Sequence, residues 1–150
     1  MRRLLSTLLI CFVSVTMAER LSAATAPAPV PAAVVRGRDL GAYDYGGAFH
    51  TAPNSREIDN ISSLRAFVWS HWSQRRRGYV KVSFVGKDSY SDWYLFAEPR
   101  DSAWHIACET IRHGIGNHMI VEKPGEIISV RRSDAALLLL DREGHLVLSL

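Results

Sequence analysis

The chain has little cysteine: 150 residues contain only Cys11 and Cys108. Cys11 falls in an apolar leader, so Cys108 is left alone after export, which excludes an internal disulfide framework. A lone thiol between Ile106 and Thr110 on an apolar strand face is expected to be buried, with a raised pKa and little nucleophilic character. Metal motifs are lacking too. No CxxC pair or HExxH helix is present, and Gly114-Ile115-Gly116-Asn117 is not a phosphate-cradling GxGxxG. Long apolar runs are also missing. Leu4 to Met17 falls short of the roughly 18 residues that cross a bilayer, and Leu137 to Leu140 reads as a strand buried on both faces. Nor does charge of one sign dominate. Arg2 and Arg3 supply two of the net +3, so cleavage after Ala18 leaves about +1 and no case for nucleic-acid binding. There is no internal repeat.

The N-terminus, by contrast, is rich in signal. Arg2 and Arg3 form a basic n-region ahead of the apolar segment, and Thr16 with Ala18, or Ser22 with Ala24, supply the small −3 and −1 residues of a cleavage site. Residues 1–24 are expected to be a signal peptide, which places the mature protein in the periplasm or outside the cell. Ile10 before Cys11 does not fit a lipobox, so no lipid anchor is expected. After cleavage no transmembrane helix remains. Residues 25–53 read as an Ala/Pro-rich spacer and a Gly-rich loop from Gly37 to Pro53, with one short strand near Val34 and Val35.

Residues 54–150 are expected to form a single α+β domain. Asn54 and Glu57 give a start signal of the capping-box type, and Ile58, Ile61, Leu64, Phe67, Val68, His71 and Trp72 share one arc at 100° per residue. Arg75, Arg76 and Arg77 suit the last helical turn, with Gly78 as the residue just past it. The period then changes to two. Val80, Val82 and Phe84 alternate with Lys81 and Ser83, a second strand covers Trp93 to Glu98, and a third puts Trp104, Ile106, Cys108 and Thr110 opposite His105, Ala107, Glu109 and Ile111. Three more strands are expected at 127–131, 136–140 and 145–148. The reading is one long helix packed on a curved antiparallel sheet of about five or six strands. A core of this size needs neither metal nor disulfide to fold, and no cofactor is implied.

In element order, residues 54–150 resemble the cystatin-like and NTF2-like architectures, a likeness that implies a helix across a sheet and no activity. The run Phe67-Val68-Trp69-Ser70-His71-Trp72, followed by Arg75-Arg76-Arg77-Gly78-Tyr79, is similar to a helix-end motif of uncharacterised exported bacterial proteins. That resemblance implies export and the extent of the domain.

Two surfaces compete for function. Trp69, Arg75, Arg76, Arg77 and Tyr79 combine flat apolar area with fixed positive charge, which suits an anionic or aromatic ligand of the envelope. The same residues also serve a purely structural end, as helix-terminus charges and core aromatics. The alternative is a small secreted hydrolase or metal-dependent enzyme using His105, His113 and His118, with Cys108 and Glu109 nearby. His105 and Glu109 share a strand face, but the spacing matches no metal pattern, so no metal site is assigned. Whether the protein is an enzyme is left open, and a binding domain is the favoured reading. N-terminal sequencing of protein recovered outside the cytoplasm is expected to give a start just after Ala18 or Ala24. A membrane-held chain beginning at Met1 would refute export with cleavage.

Overall fold

The computed structural model describes residues 38–100, 103–114 and 119–150. The expected leader, the spacer with Val34 and Val35, and His118 lie outside these residues. Eight strands and one α-helix are described: β1 Asp44–His50, α1 Ile61–Gln74, β2 Gly78–Val85, β3 Tyr90–Arg100, β4 Ala103–His113, β5 Met119–Ile127, β6 Ser129–Arg132, β7 Leu137–Leu140 and β8 Leu146–Ser149. The class is α+β, and strands dominate. The strands divide into a five-stranded sheet in the order β1-β2-β3-β4-β5 and a three-stranded sheet in the order β6-β7-β8. The larger sheet is mixed rather than wholly antiparallel, because β1 pairs with β2 in parallel.

β1 occupies part of the segment read as Gly-rich loop. Its two glycines explain the misreading, since they carry a bulge where the register slips between Tyr45 and Ala48. Gly47 has φ of 112°. Gly46 permits a close crossing, for a Cβ there would lie 2.6 Å from both the Phe67 ring and Val80. The helix also starts later than expected. Asn54 to Asn60 is irregular, with Ile58 bridged to Thr51, and Ser55 Oγ accepts the Glu57 N–H at 2.9 Å in a local turn. Asn60 precedes α1 in the left-handed region, and Ser63 Oγ donates to its Oδ1 at 2.8 Å.

The C-terminus of α1 corrects a second reading. Arg75 itself takes the left-handed conformation, with φ of 53°, and the Arg76 N–H closes the turn on the His71 carbonyl at 3.0 Å. Gly78 therefore does not cap the helix. It opens β2 directly beneath the buried His71 ring, where an added Cβ would meet Cδ2 at 2.5 Å. His71 Nε2 lies 3.0 Å from the Asp44 carboxylate, Arg76 pairs with the same group, and Phe67 stacks on the imidazole with centroids 3.9 Å apart. Helix, β1 and β2 are thus tied together at one corner.

Period-two alternation separates the faces of the large sheet. Val80 pairs with Leu95 and Leu95 with Cys108, so one face carries Val80, Val82, Leu95, Ala97, Ile106 and Cys108. Leu64 and Val68 of α1 pack on it, together with Val130, Leu137, Leu139 and Leu150 from the smaller sheet, in one continuous core. Cys108 belongs to this core, and burial pushes its thiol up to about 12, with the Glu109 charge adding to the shift. The opposite face carries Tyr79, Tyr94, Phe96 and Ile111, covered by Leu40, Tyr43 and Tyr45. The Leu run behaves as expected: β7 is the middle strand of its sheet, and Leu137, Leu139 and Leu140 are buried.

Gly78→Ala is expected to lower stability by about 1–3 kcal/mol, because the new methyl has to displace a packed imidazole. The midpoint of urea unfolding measures this. An unchanged midpoint would show that the His71 corner yields freely and does not hold the helix to the sheet.

Candidate functional site

The sheet face away from α1 holds the densest set of buried polar groups. Alternation on β3 brings Asp92, Tyr94, Phe96 and Glu98 to this face. On β4 it brings His105, Ala107, Glu109, Ile111 and His113. Glu98 is the direct cross-strand partner of His105, and Tyr94 that of Glu109. The segment ahead of β1 supplies the counter-charge. A short 3-10 turn, Leu40–Ala42, begins where Asp39 accepts the Gly41 N–H at 3.0 Å, and the chain on either side of it places Arg38 and Tyr43 over the sheet.

Arg38 organises the cluster. One guanidinium nitrogen donates to Glu98 Oε2 at 2.6 Å and the other to Glu109 Oε1 at 3.0 Å, while the plane lies 3.9 Å above the Phe96 ring centroid. The side chains of Arg38, Glu98 and Glu109 are 15%, 18% and 7% exposed, so the charges are largely withdrawn from water. Burial works against the charge on Arg38, but attraction to Glu98 and the bonds to Glu109 outweigh it and hold its pKa above the usual value. Tyr43 Oη donates to Glu98 Oε2, and burial followed by that bond raises the phenol pKa. His105 Nε2 lies 3.6 Å from Glu98 Oε1.

The balance is one guanidinium against two carboxylates. Glu109 Oε2 is shut off from solvent and has no hydrogen-bond partner among the described residues. Beside it is a cavity of about 440 Å³ walled by Arg38, Glu98, His105, Ala107, Glu109 and Glu126. Glu126 is paired with Arg100 at the rim. The β4–β5 register shifts between Cys108 and Thr110, so the bulge falls opposite Glu109. The chemistry available is that of a proton acceptor and hydrogen-bond acceptor in a low-dielectric wall, with an imidazole and a phenol within the same network.

Further along the same face, Asp92 is buried. It accepts Ser83 Oγ at 2.6 Å and Lys81 Nζ at 3.0 Å, with His113 Nε2 at 3.6 Å, and Tyr90 stacks on the His113 ring at 4.1 Å. Ser83 thus bonds to the carboxylate and not to an imidazole, unlike a nucleophilic serine held by histidine.

The residues singled out from the sequence are dispersed. Tyr79 is 1% exposed and sits in the aromatic layer against Tyr45 and Phe96. Arg75, Arg76 and Arg77 are exposed; Arg76 is paired with Asp44, and Arg77 lies 5.8 Å from the Tyr43 ring centroid. Trp69 is on the helix side, half-buried, next to Arg132. Nor are the histidines brought together. His105 and His113 share a face of β4, but eight residues at ~3.3 Å each put them about 26 Å apart, too far to share a metal. Among the described residues, Asp141, Glu143 and His145 have donor atoms within 4.8 Å of one another on an exposed turn. There Asp141 accepts the His145 N–H at 2.7 Å and so is already engaged in closing the turn.

No family model matches the chain, and no curated protein or solved structure matches it either. The site therefore stands on its geometry. Arg38→Ala is expected to cost about 3 kcal/mol by leaving two buried carboxylates without their cation, and a combined R38M/E98Q/E109Q variant is expected to recover most of that loss. Urea midpoints of the two variants decide the point. Equal destabilisation of both would mean that the segment covers the sheet by packing alone.

Proposed function

We propose that the protein is an exported small binding domain of the cell envelope or extracellular space, and that its ligand enters the cavity beside Glu98, Glu109 and His105. Export is supported by the basic n-region, the short apolar run and the small residues at Ala18 and Ala24. The observation that carries the binding site is the buried Glu109 oxygen that faces no donor among the described residues. A carboxylate oxygen withdrawn from water and left unsatisfied costs about 1–3 kcal/mol, which a ligand N–H or O–H offsets. The excess of one carboxylate over the guanidinium favours a cationic donor. A volume near 440 Å³ suits a small molecule. The ligand class is therefore a small amine, with a hydroxylated body accommodated by the polar wall.

A second reading shares the cavity. His105 within 3.6 Å of Glu98, and Tyr43 bonded to the same carboxylate, supply groups able to relay a proton, which favours acid–base turnover of such a ligand by a small hydrolase. The two readings part on turnover. A binding domain returns the ligand unchanged, whereas an enzyme loses activity with His105→Ala and still binds.

Calorimetric titration with ethanolamine, putrescine and glucosamine, against glycerol and glucose, tests the reading. At least one amine is expected to bind, and Glu109→Gln is expected to weaken it tenfold or more, about 1.4 kcal/mol. Amine affinity that is unaltered in Glu109→Gln, or the absence of any binding, would remove this cavity as the ligand site.

A further inference from the structure

The helix side of the molecule carries a second cleft with the opposite charge. Ser62, Arg65, Ala66 and Trp69 lie at spacings of three, four and seven along α1, so they form one stripe on its surface. The turn between β6 and β7 faces that stripe, and Arg132 and Ser133 close a cleft of about 210 Å³. Ala66 leaves the space between the two larger side chains. Arg132 lies 5.8 Å from the Trp69 ring centroid.

Neither arginine of the cleft meets a counter-charge, a state shared among the described residues with Arg75, Arg77 and Arg131. Arg38, Arg76 and Arg100 each meet a carboxylate, but neither Arg65 nor Arg132 has an ion pair among the described residues. Asp134 also borders the cleft, exposed and paired with neither. Arg65 Nε is sealed from solvent with no hydrogen-bond acceptor among the described residues. A guanidinium N–H that has lost water and gained no acceptor calls for one. Two guanidinium groups at one cleft supply N–H donors of the kind an oxyanion accepts from, and Trp69 adds a flat wall for an apolar or ring-shaped body. The volume is below the ~300 Å³ at which drug-sized pockets begin, so the occupant is no larger than about one sugar ring.

We propose that this cleft binds the carboxylate of a small ring-bodied acid of the uronic-acid class, with Arg65 and Arg132 on the acid group and Trp69 along the ring. The proposal stands independently of the amine site on the far sheet face. Calorimetric titration of the purified protein with glucuronate, glucose and sodium sulfate tests it, at low and at raised sodium chloride. Glucuronate is expected to bind, sulfate to bind more weakly, glucose not to bind, and added salt to reduce the affinity. Arg132→Gln and Arg65→Gln are each expected to weaken glucuronate at least tenfold, and Trp69→Ala about fivefold without matching its effect on sulfate. Arg132 is exposed, so its variant keeps the test decisive if Arg65→Gln does not fold. Failure of glucuronate to bind, or affinity unchanged in Arg132→Gln, overturns the site. Equal affinity for glucose overturns the role of the arginines, and equal affinity for sulfate that of Trp69.

Discussion

The Arg38 guanidinium bridges Glu98 and Glu109, and the chemistry of that sheet face depends on it. Without that fork, two carboxylates would sit beside Phe96 and Tyr94 without a guanidinium partner. Each would carry a desolvation cost of several kcal/mol. The fork also fixes the approach of the chain. Arg38 reaches partners 60 and 71 positions away, so closing it lays residues 38–45 over the sheet and brings Leu40, Tyr43 and Tyr45 down on the aromatic layer. Through Arg38 the docked segment also supplies one wall of the cavity.

The other face obeys a simpler rule. Leu64 and Val68 bury against Val80, Val82 and Leu95 because the helix period and the strand period each bring their apolar residues to one side. The His71 corner sets where the helix comes to rest. Gly46 and Gly78 lack side chains at the two points where Phe67 and His71 come closest to the sheet, so the helix lies nearer to β1 and β2 than side chains would permit. The polar partners at this corner, Asp44 and Arg76, are exposed and contribute orientation more than stability.

How far the sequence revealed this architecture follows from which signals were local. Alternation in β2, β3 and β4 was legible, and with it the division that puts His105 and Glu109 on one face and Cys108 on the other. The strands that escaped were those interrupted by turn residues. Gly46-Gly47 in β1 and Pro124-Gly125 in β5 are loop signals taken singly, and in both strands they coincide with a register shift. The start of α1 was misplaced because Asn54, Ser55 and Glu57 satisfy a capping pattern and a tight turn equally well. Long-range contacts, here the bridge from Ile58 to Thr51, decided between them. Arg38 gave no signal at all, for its meaning lies in two carboxylates on distant strands. The same holds for Trp69, which lies beside Arg132 and shares a cleft with Arg65 rather than meeting the conspicuous run from Arg75 to Arg77.

A buried ion cluster is a poor means of stabilising a fold. Apolar side chains of similar volume at Arg38, Glu98 and Glu109 would join the neighbouring layer of Tyr79, Tyr94, Phe96 and Ile111 at no loss, and often at a gain of about 1–4 kcal/mol. The fold thus has a cheaper solution available on this face. Glu109 sharpens the point, because its second oxygen is not even satisfied within the described cluster, and a network left one donor short is worse for stability than no network. What a short-handed network does supply is a fixed acceptor beside a cavity, held by a guanidinium on one side and the strand on the other. Under the binding function proposed above, that arrangement sacrifices stability to preorganise a contact with an amine, which directs the search for that ligand to the sheet face and not to the more conspicuous arginine run.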